Sequence, residues 1–142
     1  MFFLEHKKEN KQTWMDLIQL TNLAYLSVAL CMFARKEQNA AFVLFVFCVS
    51  TLHHYLPDQN SLQRLDGTVA NISLIIILPY YLTKKQKTWH YWLSCEVFAL
   101  SIYFYVMSGN DYLKPSYVLY HSAWHLLSAL SLAIMLRAPD KR

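Results

Sequence analysis

Five long apolar stretches, separated by short polar ones, dominate the sequence. They cover residues 14–34, 39–56, 65–82, 89–107 and 117–136, and each holds 18 to 21 mainly apolar residues. This length is close to the ~20 residues that an α-helix needs to cross a bilayer. The short connections favour antiparallel packing of neighbouring helices. The pattern therefore predicts an all-α integral membrane bundle with five transmembrane helices, built as a single domain over residues 1–142.

Basic residues flank the apolar stretches on both sides of the predicted membrane. Eight lysines and arginines follow the first, third and fifth stretches, and five lie on the other side. The positive-inside rule then predicts a cytoplasmic C-terminus and a non-cytoplasmic N-terminus. The net charge of +4 is explained by these flanking residues. We expect no nucleic-acid partner, because the sequence has no basic stripe with interleaved aromatic residues.

Composition supports the membrane interpretation. Hydrophobic residues make up 56% and charged residues 15% of the chain, well below the roughly 25% charged residues of soluble domains. The mean hydropathy is only +0.20 because tyrosines, tryptophans and polar connections lower it without interrupting the apolar stretches. The three cysteines lie inside predicted spans without CxxC spacing, which indicates neither a disulfide framework nor a thiolate metal site. Residues 1–12 are expected to form a short amphipathic or disordered lead-in, not a cleavable signal.

Polar residues with ligand chemistry lie inside these apolar stretches. His121 and His125 are four residues apart, which places both imidazoles on one face of a helix, about one turn apart. Ser50 and His54 repeat this spacing in the second stretch, and Asp66 follows twelve residues later. With five spans, the end of the second helix and the starts of the third and fifth lie on the same side. All five groups are therefore expected at one level of the membrane.

This set of groups is suited to metal-assisted hydrolysis. Three neutral imidazoles, here His54, His121 and His125, are a ligand set typical of catalytic Zn²⁺, which lowers the pKa of bound water to near ~7. Asp66 is suited to take a proton from that water, and the Ser50 hydroxyl is suited to stabilise an oxyanion. Because the site lies at membrane depth, the expected substrate is a lipid with an amide or ester bond.

The same blocks carry a resemblance to a known group of proteins. Ser50-x-x-x-His54, Asp66 and His121-Ser-Ala-Trp-His125 resemble the three motif blocks of the CREST superfamily of membrane hydrolases. That superfamily includes alkaline ceramidases, the adiponectin-receptor family, post-GPI-attachment phospholipases and myomaker-like proteins. The resemblance implies His54, His121 and His125 as zinc ligands, Asp66 as the group that activates the zinc-bound water, and Ser50 as its polar partner at the metal.

The resemblance also implies seven helices, of which three lie between the aspartate and the histidine pair. This sequence has room for only one helix between Asp66 and His121. A lipid cavity in this shortened form is therefore expected to be smaller, more open, or completed by a second subunit, as in a homo-oligomer.

Two other classes of function remain open for these residues. A haem-binding membrane electron carrier would ligate iron through His54 and a histidine of the fifth helix, placed on opposite faces of the macrocycle. A non-catalytic receptor or assembly protein of the same superfamily would keep the zinc for structure. The neighbouring His53 points roughly 100° away from His54 on a helix and is expected at the membrane interface.

Two carboxylates inside the apolar stretches have no single interpretation. Glu96, about two turns into the fourth stretch, is either a functional group or the ion-pair partner of Lys85 or Lys87. Asp16 begins the first stretch on the histidine side. It is explained either by the helix dipole or by a position behind the histidines.

Overall fold

The computed structural model is all-helical and describes residues 2–56, 60–108 and 115–141. Its backbone forms five helices, and no β-strand occurs within those ranges. Each helix coincides with one predicted stretch to within a few residues, except that α1 begins at residue 2 and includes most of the expected lead-in. The predicted all-α class is confirmed. The helices are α1 (Phe2–Ala34), α2 (Ala40–Tyr55), α3 (Asn60–Lys84), α4 (Trp89–Ser108) and α5 (Pro115–Met135).

Four helical segments among the described residues are long and apolar enough to cross a membrane. They are Asp16–Ala34, Arg64–Lys84, Trp89–Ser108 and Ser116–Met135. The α2 helix is also apolar, but it has only 16 residues. Its length of ~24 Å falls short of the ~30 Å hydrocarbon core of a bilayer. The structure thus has four helices of spanning length and one shorter apolar helix.

The packing order of the helices differs from their order in the chain. The α1 helix packs against both α2 and α5, while α3 packs on α2 and α4 packs on α5. The spatial order is therefore α3, α2, α1, α5, α4. This row curves, because side chains from all five helices line one central cavity. As a result, residues of α3 and α5 face the same space although α2 and α1 lie between them in the row.

The turn after α1 determines what lies at the end of the bundle away from the histidines. Lys36 has a φ of 56°, and its N–H donates to the Phe33 carbonyl while the Glu37 N–H donates to the Met32 carbonyl. These two bonds form a Schellman motif, in which the left-handed position is usually a glycine. The motif ends α1 and turns Glu37 back toward the ends of α3 and the chain's C-terminal segment.

Candidate metal centre

Three histidines from two helices meet inside the bundle. His54 on α2 and His121 and His125 on α5 are each at most 6% exposed. The Nε2 atom of His54 lies 3.1 Å from Nε2 of His121. One possible ligand atom from each of the three residues lies within 4.8 Å of the other two. The structure therefore brings together the three histidines that the sequence singled out as metal ligands.

The spacing of these nitrogens suits a small divalent ion. Two imidazole nitrogens bound at ~2.0–2.1 Å to a tetrahedral Zn²⁺ are about 3.3–3.4 Å apart. The observed separation of 3.1 Å between His54 and His121 is close to that value. The third candidate ligand, His125, needs to approach by at most about 1.5 Å from the 4.8 Å limit. The donor set is all-nitrogen and buried, and it therefore fits zinc.

A hydroxyl on α1 lies within hydrogen-bond distance of His125. The Thr21 hydroxyl donates a 2.7 Å hydrogen bond to the Ile18 carbonyl and lies 3.4 Å from Nδ1 of His125. Because its hydrogen is already used, the hydroxyl can accept from Nδ1–H when that nitrogen carries the proton, and the main chain of Ile18 is a second hydrogen-bond partner of His125. The lone pair of Nε2 then remains available to a metal. Such an outer partner is the usual way in which proteins fix the tautomer of a ligand histidine.

Ser50 and Asp66 lie together beside the histidines. The buried Asn22 side chain on α1 lies within hydrogen-bond distance of the Ser50 hydroxyl through both of its polar atoms: Nδ2 can donate to the hydroxyl at 3.3 Å, and Oδ1 can accept from it at 3.4 Å. The Ser50 hydroxyl is also a hydrogen-bond neighbour of the Asp66 carboxyl group. Asp66 is only 8% exposed. Both residues line the central cavity together with His125.

The contribution of α1 to the site was missed by the sequence analysis. Thr21 and Asn22 contact His125 and Ser50, and Tyr25 follows one turn later with its ring 5.8 Å from the imidazole of His125. The Tyr25 hydroxyl hydrogen-bonds to Ser128 on α5. The signal that could have revealed them is the spacing, since residues 21, 22 and 25 are polar positions at helical intervals within an apolar stretch.

A long, mostly apolar cavity extends from the histidines through the bundle. Its volume is about 110 Å³, and Ser50, Asp66 and His125 lie at one end of it. Tyr81 and Met135 line the other end. Tyr81 is 15 residues beyond Asp66 on the same helix, which corresponds to ~22 Å along its axis. The polar groups therefore lie at one end of a mainly apolar cavity.

The expectation for His53 is wrong. The residue is 4% exposed, and its ring centroid lies 4.8 Å from that of His54. The reason is that α2 packs between α1 and α3, so that two positions 100° apart on this helix are both covered by neighbours. His53 thus adds a fourth imidazole to the interior beside the three candidate ligands.

The two ambiguous carboxylates lie outside the metal centre. Glu96 is exposed on α4. Lys85 pairs instead with Asp140 at 2.7 Å and with Glu37 at 3.7 Å. The proposed Glu96–Lys85 ion pair is therefore not formed. Asp16 is exposed near the histidine end of α1.

Comparison with known proteins gives no assignment, since no family model, no curated protein and no solved structure matches the chain. The fold is an all-helical chain with several apolar helices of membrane-spanning length. Among the described residues it buries one histidine triad whose geometry could hold a metal ion.

Proposed function

We propose that this chain is a zinc-dependent intramembrane hydrolase of lipid amide or ester bonds, as the resemblance to the CREST superfamily implies. The observation that carries the proposal is the buried triad of His54, His121 and His125 beside Asp66, at the head of an apolar cavity. In this proposal all five helices cross the membrane, with the N-terminus non-cytoplasmic and the C-terminus cytoplasmic. The short α2 helix ends at the level of the metal centre.

The roles of the side chains follow from their contacts. The three histidines would hold the zinc, which would supply Lewis acidity and lower the pKa of a coordinated water to near ~7. Asp66 accepts a proton from the attacking water and returns it to the leaving amine or alcohol. Ser50 acts as a positioning residue, because its hydroxyl is held by the Asn22 amide and is also a hydrogen-bond neighbour of the Asp66 carboxylate. This differs from an oxyanion-binding role, for which the hydroxyl would have to face the substrate.

The shape and lining of the cavity support a lipid as the proposed substrate. Its wall beyond the histidines is mainly aliphatic and aromatic, and includes Val46, Ala70, Ile77 and Leu132. A hydrocarbon chain can bind against such a wall at low cost, because it carries no polar group that would lose its hydrogen bonds there. The scissile carbonyl then lies where the chain ends, next to Asp66 and the imidazoles. A lipid with an acyl chain meets both requirements.

The haem-carrier alternative is disfavoured by the same geometry. The imidazoles of His54 and His121 meet edge to edge with their Nε2 atoms 3.1 Å apart. No flat macrocycle fits between these two nitrogens, which leaves His125 as the only helix-five histidine that could ligate iron opposite His54. An optical spectrum of the purified protein without a Soret band is the expected result.

The proposal is tested by lipid hydrolysis in liposomes. Purified chain is reconstituted with a ceramide in one set of vesicles and a glycerophospholipid in another, and released fatty acid is measured by mass spectrometry. We expect Asp66→Asn to reduce the rate by about 10²–10⁴-fold, because it removes the general base. Zinc content should not change, since Asp66 is not one of the three clustered ligands.

The matched control is Thr68→Ala, which alters an exposed side chain on the same helix and should hydrolyse at the wild-type rate. Equal rates for Asp66→Asn and wild type would contradict the proposed role. A wild-type protein that retains zinc and releases no fatty acid from either lipid would instead support the non-catalytic receptor or assembly function.

A further inference from the structure

Tyr81 lies at the end of the cavity opposite the histidines. It is 1% exposed and belongs to a buried cluster that includes Ile77, Val43 and Met135. Tyr81 and Met135 are the lining residues farthest along α3 and α5 from Asp66 and His125. The phenol ring therefore forms part of the end wall of the cavity.

The end wall is held in place by a group of paired charges, which we name the charged clasp: Glu37, Lys84, Lys85 and Asp140. The ammonium of Lys85 lies 5.9 Å from the centre of the Tyr81 ring. That ammonium is fixed by Asp140 at 2.7 Å and Glu37 at 3.7 Å. A cation over an aromatic ring, itself held by two carboxylates, restrains the ring. The wall is therefore expected to resist displacement by a ligand.

The position of a rigid wall matters because of how a lipid chain enters from a membrane. Hydrocarbon that moves from lipid tails into an apolar cavity gains little hydrophobic free energy, since both surroundings are apolar. A longer chain therefore does not bind with a more favourable free energy. A chain that is too long must overpack the cavity, which weakens binding. The axial distance from Asp66 to Tyr81 is ~22 Å. A wall at that distance gives the cavity a defined length limit.

We propose that Tyr81, backed by the charged clasp, sets the maximum length of the single acyl chain that this protein accepts. The chain lies along the cavity with its carbonyl beside Asp66 and His125 and its terminal methyl group against Tyr81 and Met135. This orientation rests on the proposed function. The length limit itself rests on the cavity and its end wall.

The test is binding of a series of saturated fatty acids, lengthened two carbons at a time, to detergent-purified protein by native mass spectrometry. For the wild type we expect similar occupancy up to one length and a loss of about tenfold at the next step, because overpacking is penalised steeply. Tyr81→Ala should move this drop to longer chains by at least one step. Tyr81→Phe should leave it in place, because the ring is kept.

Two further variants keep the outcome interpretable. Ile75→Ala changes a side chain on α3 that is 73% exposed, and it should not move the drop. Tyr81→Leu leaves a smaller void and replaces the alanine variant if that one does not fold. An identical drop in wild type, Tyr81→Ala and Tyr81→Leu would overturn the inference.

This readout is independent of catalysis. A drop that moves with Tyr81 in a protein without zinc or hydrolysis would support the length limit and contradict the proposed function. Hydrolysis of lipids with a length limit that is unchanged in the Tyr81 variants would support the proposed function and contradict the role of Tyr81.

Discussion

The two ends of the bundle both bury polar groups, but they satisfy them differently. At the charged clasp, Lys84 and Lys85 each contact both Glu37 and Asp140 at 2.7 to 3.7 Å. Lys85 holds the pKa of Asp140 below its usual value by hydrogen bonding to it. At the histidine end, the imidazoles mainly face one another, and Nδ1 of His121 has no hydrogen-bond partner among the described residues. The four charges of the clasp are paired with one another, although the buried Tyr81 hydroxyl beside them has no hydrogen-bond partner among the described residues. The histidine end could instead gain from an added cation.

This difference indicates that the charged clasp stabilises the fold, whereas the histidine cluster is a candidate binding site. Buried polar groups are normally paired, and each exception calls for an explanation. The charges of the clasp are paired with one another. Main-chain hydrogen bonds from Gln86 to Pro139 and from Lys141 to Lys84 also join the same two segments. In the histidine cluster, His54 and His121 can share one hydrogen bond at 3.1 Å, but Nδ1 of His121 has no partner among the described residues. The geometry of the cluster is explained if the three imidazoles share a metal ion.

The largest expected effect comes from removing a ligand. His125→Ala should lower zinc affinity by more than about a hundredfold, because the loss of an outer-shell partner alone costs about 10–100-fold. Hydrolysis should be lost with the metal. Elemental analysis of the purified protein measures the zinc-to-chain ratio. His90→Ala, at the start of α4 on the clasp side, is the control and should keep the wild-type ratio.

A smaller effect at the same end tests the outer hydrogen bond. Thr21→Val removes the hydroxyl beside Nδ1 of His125 while it keeps the side chain's shape. Zinc affinity, measured by competition with a chelator, should fall by about 10–100-fold. Thr21→Ser retains the hydroxyl and should bind zinc as the wild type does. Equal affinities for the valine and serine variants would show that this hydrogen bond does not position the ligand.

A substitution in the charged clasp is expected to have the smallest effect on zinc binding. It should lower stability instead, which contrasts the two ends of the bundle. Lys85→Met leaves Glu37 and Asp140 with one cation fewer and should reduce the free energy of unfolding by about 1–3 kcal/mol. Zinc content should not change. Lys87→Met, at an exposed lysine two residues later, is the control and should shift stability by less than ~0.5 kcal/mol. Chemical unfolding in detergent measures both, and a loss of zinc in Lys85→Met would remove the distinction between the two ends.

The helices and the triad could be read from the sequence because both depend on local spacing. Apolar runs of nearly constant length mark the helices, and a four-residue interval places His121 and His125 on one face. Helix ends were less predictable, since α3 continues at Asn60–Lys84 beyond the apolar stretch of residues 65–82. A helix ends where its hydrogen bonds end, and polar flanks can continue it.

The parts that escaped prediction depend on partners distant in the chain. Thr21 is 104 residues from His125, and Asn22 is 28 residues from Ser50. Nothing local distinguishes them from polar residues that merely join two helices. Lys85 was expected among water-facing flanking residues, yet it is 3% exposed. Its burial depends on Asp140, which the fold of the C-terminal segment brings to it.

X-ray absorption at the zinc edge tests whether imidazoles from α2 and α5 share one metal ion. We predict about one zinc per chain, with three imidazole nitrogens at ~2.0–2.1 Å and one further light ligand. His54→Ala should lose that spectrum together with the metal. A wild-type protein that binds no zinc after purification in its presence, or a spectrum dominated by sulfur ligands, would contradict the account.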